Sequence, residues 1–95
     1  MEIQKITQIL TEYKNYLESK NVCANRIQTN KTFGDYKDDI PSLLSHALYL
    51  VNGALITAQD PEKYGKLNRH LTAIQMCLSF AKAYTLDELM AHNRP

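Results

Sequence analysis

The stretch IPSLLSHALYLVNGALITAQDPEKYGKLNRHLTAIQMCLSFAKA, residues 40–83, decides the fold. Leu44, Leu48, Val51, Leu55 and Ala58 recur at steps of four and three, and after Asp60-Pro61-Glu62 the set Tyr64, Leu67, Leu71, Ile74, Leu78 and Ala81 repeats that spacing. Such steps place each set on one side of a helix, and a stripe that water disfavours is stabilised by a facing stripe. The connection is too short for anything but antiparallel neighbours, so the spacing predicts an αα-hairpin with helices at about 40–59 and 61–84.

Local chemistry marks the helix starts. Asp39 suits the N-cap, Asp38 complements the positive helix end, and Pro41 lies in the first turn, where its missing N–H has no helical partner to lose. Asp60 and Pro61 repeat the arrangement for the next helix, whose second turn Gly65 weakens. Gly53, in mid-helix, costs roughly 1 kcal/mol relative to alanine. With Ala47, Ala54 and Ala58 it marks either the close approach of another backbone or a glycine merely tolerated on an exposed face.

Upstream, Ile3, Ile6, Leu10, Tyr13 and Leu17 predict a first helix over 2–19, with Ile9 and Tyr16 widening its stripe enough for more than one neighbour. From Ser19 to Asp39 the period fails and asparagines stand at 21, 25 and 30, which predicts a long polar loop. A small hairpin around Asn30-Lys31 is one reading of that loop, and Ile27, Phe33 and Tyr36 are the residues able to pin it. Downstream, Thr85-Leu86-Asp87-Glu88 has the Thr-x-x-Glu form of a capping box. It opens a short helix over 86–91, folded back by Leu86, Leu89 and Met90, with His92-Asn93-Arg94-Pro95 as a tail. The expected architecture is an all-α small bundle in one domain, 1–95.

A chain of 95 residues supports one core but not a core and a deep catalytic cleft together. Its net charge of +1 gives no field to gather nucleic acid or an anionic membrane surface. No apolar run approaches the roughly 20 residues of a membrane span, and Met1-Glu2-Ile3-Gln4-Lys5 lacks the order of a signal peptide, so a cytoplasmic protein is expected. Cys23 and Cys77 then read as free thiols, with Cys77 a small core residue.

The histidines His46, His70 and His92 show no His-x-x-x-His pair. Counted from the hairpin turn, His46 and His70 fall within about one helical turn of the same height. No Cys or carboxylate completes a zinc set beside them, so they read as solvated, with no metal and no cofactor. Neither an activated nucleophile nor a Gly-rich phosphate loop is present, and the expectation is a protein that is not an enzyme. Lys63, Lys66, Arg69 and His70 align along one side of the third helix, a basic strip able to take a phosphate or a partner's carboxylates. The plainer reading is a solvated face in which Glu62 pairs with Lys66. Gln75, polar between Ile74 and Met76, is placed to hydrogen-bond across the bundle or to the last helix.

The segment 69–94 carries Arg69, Leu71, Ile74, Gln75 and Leu78, then Thr85, Asp87, Glu88 and Leu89, and finally His92, Asn93 and Arg94. It resembles a group of small helical accessory proteins of tailed bacteriophages and prophages, in which an Arg-Trp-Leu-Gly-Phe-Ile-Gln-Gly helix precedes a Thr/Ser-Ile-Asp-Glu-Leu turn and an Asp-His-Asn-Arg end. The chain departs from that pattern at His70, Thr72, Ala73 and Met76, and the match covers under a third of its length. The resemblance implies a phage-encoded protein of the bacterial host cytosol. It implies action by binding, for instance by inhibiting a host or defence complex.

Two functions remain in view. One is a protein-binding module that uses the Ser19 to Asp39 loop and the exposed side of the hairpin. The other is a homo-oligomeric binder of a small anionic ligand or nucleotide, with the strip of Lys63, Lys66 and Arg69 at a subunit junction. The candidate partner- or ligand-binding residues are Lys63, Lys66, Arg69, His70, Phe33, Tyr36, Asn93 and Arg94. Three short helices cover one another incompletely, which favours a homodimer in either case.

Overall fold

The computed structural model describes residues 1–95. Four α-helices form, α1 over Ile3–Ser19, α2 over Ile40–Thr57, α3 over Tyr64–Phe80 and α4 over Leu86–His92, with 3-10 turns at Phe33–Tyr36 and Pro61–Lys63. They make an all-α bundle in which α2 and α3 are an antiparallel hairpin, α1 packs across it and the short α4 closes one side.

The helix starts follow their caps. The Asp39 carboxylate accepts the Ser42 N–H at 3.3 Å and the Ser42 hydroxyl at 2.7 Å. Thr85 and Glu88 form the expected capping box, at 3.2 Å from the Glu88 N–H and 2.9 Å from the Thr85 N–H. At Asp60 the side chain takes the Glu62 N–H at 3.0 Å, and residues 61–63 wind as a tight 3-10 turn before α3 begins.

The hairpin helices are shorter than the apolar spacing predicts. Helix α2 ends at Thr57 rather than 59, and α3 ends at Phe80 rather than 84. The second difference has a definite cause. Lys82 takes a left-handed conformation (φ 60°), so its N–H turns back to the Ser79 carbonyl at 3.0 Å and the Ala83 N–H reaches the Leu78 carbonyl at 3.0 Å. This paired closure satisfies carbonyls that the last turn leaves open. Helix α1 ends the same way around Asn21 (φ 61°), with Asn21 bonded to Glu18 and Val22 to Leu17.

Helix α2 is the central element, packed against both α1 and α3. Its buried arc is therefore wider than one stripe and turned from the expected one. Leu43, Ala47, Leu48, Val51 and Ala54 are buried, whereas Leu44, Leu55 and Ala58 are half-buried. Facing them are Ile6, Ile9, Leu10, Tyr13 and Leu17 of α1 and Leu67, Leu71, Ile74, Cys77 and Leu78 of α3. Each fully buried Leu, Ile or Val contributes about 1.5–3 kcal/mol relative to exposure. By length and composition α2 is also apolar enough to cross a membrane, a property it shares with core helices of its kind.

Two expectations at the ends of the chain are corrected. Leu86 and Met90 are 64% and 54% exposed, so Leu89 alone of the three apolar residues docks α4. His92 and Asn93 are not tail residues: His92 belongs to the helix, and both side chains bond to the body of the bundle.

Between α1 and α2 no strand forms. A turn forms one residue earlier than Asn30-Lys31, at Thr29-Asn30, with the Lys31 N–H on the Gln28 carbonyl at 3.2 Å, and the flanking residues do not pair. Instead Thr32 and Asp35 close a capping box on the 3-10 turn, and the Asn25 N–H bonds to the Ser45 carbonyl at 3.1 Å, which lays the segment along α2.

Candidate functional site

The segment crossing α2 is fixed by one imidazole. His46 is 8% exposed, and its Nδ1 accepts the Ile27 N–H at 3.3 Å, so the expectation of a solvated histidine does not hold there. Phe33 meets the His46 ring edge-on at 5.7 Å and lies 6.0 Å from Phe80 of α3, while the Tyr49 ring lies nearly parallel to His46 at 6.1 Å. Tyr36 adds a weaker tie, its hydroxyl accepting the Gln28 N–H at 3.4 Å. Phe33 and Tyr36 are both half-buried, in the pinning role that the sequence suggests.

Beside this lock lies an open groove of about 610 Å³. Helix α2 supplies His46, Tyr49, Leu50, Asn52, Gly53 and Ile56, helix α3 supplies His70, and the crossing segment supplies Arg26 and Thr29. His46 and His70 do turn to the same flank of the hairpin, as their matching heights permit. A Cβ built on Gly53 meets nothing within 4 Å, so no backbone of this chain makes the close approach that the glycine suggested.

The charges that act on the two imidazoles of the groove are cations. Burial, with Arg26 nearby, holds the His46 imidazole below its usual pKa. Burial, with Lys66 and Arg69 nearby, does the same to His70, whose Nδ1 is buried without a hydrogen-bond partner. Lys63, Lys66 and Arg69 are exposed, and none has a carboxylate within 4.0 Å. The Glu62–Lys66 pairing does not form; the ion pair present is Lys14–Glu18, at 3.9 Å.

A second polar cluster stands between α1, α3 and α4. The Tyr13 hydroxyl accepts a hydrogen bond from Gln75 Nε2 at 3.1 Å and shares another with His92 Nδ1 at 2.8 Å. The amides of Gln75 and Asn93 bond to each other twice, at 2.8 and 3.0 Å. Tyr84 packs into the cluster, edge-on to His92 at 4.9 Å and tilted against Tyr13 at 5.5 Å. Tyr13 is 1% exposed, and that burial pushes its pKa up to about 12. Gln75, His92 and Asn93 all come from the motif segment, so here the motif ties the C-terminus to the core.

The structure thus divides the residues singled out from sequence. Of the basic strip only His70 lines the groove; Lys66 and Arg69 act on it from outside the lining, and Lys63 falls in the 3-10 turn before α3 rather than on that helix. Asn93 belongs to the cluster with Gln75, and Arg94 follows it, exposed, beyond the end of α4. Sequence reasoning missed Arg26, Tyr49 and Ile56. A signal existed for the last two: they are large apolar residues seven apart, off the stripe of α2 that packs inward. Arg26 had none, because its position depends on how the segment crosses α2.

No group of three or more metal-ligating side chains converges anywhere in the chain. Cys77 is buried, donates its Sγ–H to the Leu43 carbonyl at 3.2 Å and has its pKa pushed up to about 12 by burial, so it stays a thiol at neutral pH. Against known proteins, the chain matches no protein-family model, no curated sequence and no solved structure.

Proposed function

We propose that this chain is a non-enzymatic, phage-type accessory protein that binds and inhibits or modulates a bacterial cytosolic protein complex, such as a defence system. Its contact surface is the exposed face of the α2–α3 hairpin with the segment laid along it. The observation that carries this reading is the continuity of that surface: His46 fastens the segment at Ile27 and Phe33, and the groove beside it leaves Tyr49 42% and Ile56 70% exposed. Exposed apolar residues rimmed by cations fit a partner interface better than a solvated face. The phage context comes from the resemblance of residues 69–94.

The test is capture from a bacterial lysate with tagged protein, followed by mass measurement of the intact complex. A stoichiometric host protein, retained by wild type and by Met90→Asp but lost with Ile56→Asp, supports the reading. Capture that Ile56→Asp leaves unchanged refutes the surface.

A homo-oligomeric binder of a small anionic ligand is the second reading, favoured by the unpaired Lys66 and Arg69 beside the unpartnered His70 Nδ1. It expects nucleotides to raise the melting temperature and Arg69→Glu to remove the effect. No rise with any nucleoside phosphate excludes nucleotides as that ligand.

A further inference from the structure

We propose that the α2–α3 groove receives an acidic, amphipathic helix of the partner protein, an inference that rests on the binding-module reading and names the chemistry of its partner. Gly53 weakens α2, yet a Cβ in its place would meet no atom within 4 Å, so no close backbone approach inside the molecule calls for a glycine there. A backbone from outside, lying across the groove, does call for one. Tyr49 and Ile56 flank that open floor with exposed apolar surface. From His46 to Ile56 the α2 wall runs about 15 Å at 1.5 Å per residue, room for roughly three turns of a helix.

Charge then selects the occupant. Arg26 lines the groove and acts on His46, Lys66 and Arg69 act on His70, and no carboxylate acts on either imidazole. None of the three cations has an ion-pair partner in the chain. A helix with leucine-like residues along its centre and aspartates or glutamates along its flanks meets both the apolar floor and the cationic rim. A basic helix would set like charges together. Helix α4 of a second copy, with exposed Leu86 and Met90 beside Asp87, is only seven residues long and too short to fill the floor.

The test uses isotope-labelled full-length protein and two synthetic peptides of about four helical turns. They share a Leu/Ala face; one carries glutamates on its flanks and the other lysines. The expected result is that the glutamate peptide shifts the amide signals of Tyr49, Gly53, Ile56 and His70 and the lysine peptide does not. Gly53→Leu, which fills open space and suits a helix, should weaken the glutamate peptide at least about tenfold, as should Arg26→Glu. The inference is overturned if the glutamate peptide shifts residues outside the groove, if both peptides bind equally, or if Gly53→Leu binds as wild type does. It is equally overturned if the groove signals move with protein concentration alone and the glutamate peptide does not compete, which assigns the groove to a second copy. Should the peptides fail while lysate capture is still lost with Ile56→Asp, the acidic helix falls and the binding module stands; loss of both results removes both.

Discussion

Tyr13 and His46 are each a ring buried against neighbours, with one polar atom hydrogen-bonded to defined partners. The Tyr13 hydroxyl accepts a hydrogen bond from Gln75 and shares another with His92 Nδ1. Tyr13→Phe keeps the ring and strands those partners in a half-buried site, which should cost about 1–3 kcal/mol in urea unfolding. Its raised pKa acts at alkaline pH. The unfolded tyrosine gives up its proton near 10.0 and the folded one only near 12, so stability should fall as the pH rises through that interval. One of the six tyrosines should then ionise, by ultraviolet difference spectra, only as the protein unfolds. For His46 the sign is opposite in pH. Burial and Arg26 lower its pKa from 6.5, as burial, Lys66 and Arg69 lower that of His70, so both favour the neutral imidazole when folded. Their contribution is intact above 6.5 and is lost as the pH falls through the lowered values. Thermal melts should show a drop from pH 7.5 to 5.5 that is smaller in His46→Ala. That variant should itself lose about 1–3 kcal/mol at neutral pH through the lost acceptor and ring contacts.

At the level of elements, helix existence was legible and helix ends were not always so. The caps Asp39 and Thr85 are short-range chemistry, written within four residues, and both side chains accept the backbone N–H expected of them, whereas Asp60 caps the 3-10 turn and α3 begins after it without a side-chain cap. The end of α3 was hidden because a lysine stands where glycine or asparagine usually signals the left-handed residue. Lys82 bears the steric cost of a Cβ in that conformation, whereas Asn21 at the end of α1 tolerates it better. Lys82→Gly should therefore stabilise the protein by about 1 kcal/mol, and Lys82→Val should destabilise it, both read from urea midpoints at unchanged slope. The turned stripe of α2 has a different origin. Periodicity finds the apolar side of a helix, but its contacts with two neighbours set the centre of the buried arc, and those are tertiary facts. The same holds for α4. Its apolar residues pointed to docking by three side chains, while the structure uses Leu89 with the polar pair His92 and Asn93.

Across the whole molecule, which spans 35 × 27 × 23 Å, the bundle and the crossing segment are held by different means. The bundle rests on a continuous core of α1, α2 and α3, joined by Leu89 of α4. The segment rests on half-buried Phe33 and Tyr36, two backbone hydrogen bonds to α2 and its own capping box, few contacts whose loss need not open the core. This is also why the candidate site was only half legible: the basic strip follows from steps of three and four along α3, but the groove needs Arg26, which a nonperiodic segment carries to it. Phe33 sits between His46 and Phe80 and is the point at which the two parts can be separated. Phe33→Ala should leave the helical circular dichroism unchanged and shift the melting temperature by only a few degrees, as a loss of about 1 kcal/mol gives in a domain of this size. Hydrogen exchange at Asn25 and Ile27 should nonetheless rise several-fold, and trypsin should cut sooner after Arg26 and Lys31, while the amides of Val51 and Ile74 keep their protection. Uniform loss of protection would mean that the segment and the bundle unfold as one unit. Selective loss would mean that Arg26 reaches the groove by a local closure, so that a partner meeting this face also stabilises the segment that frames it.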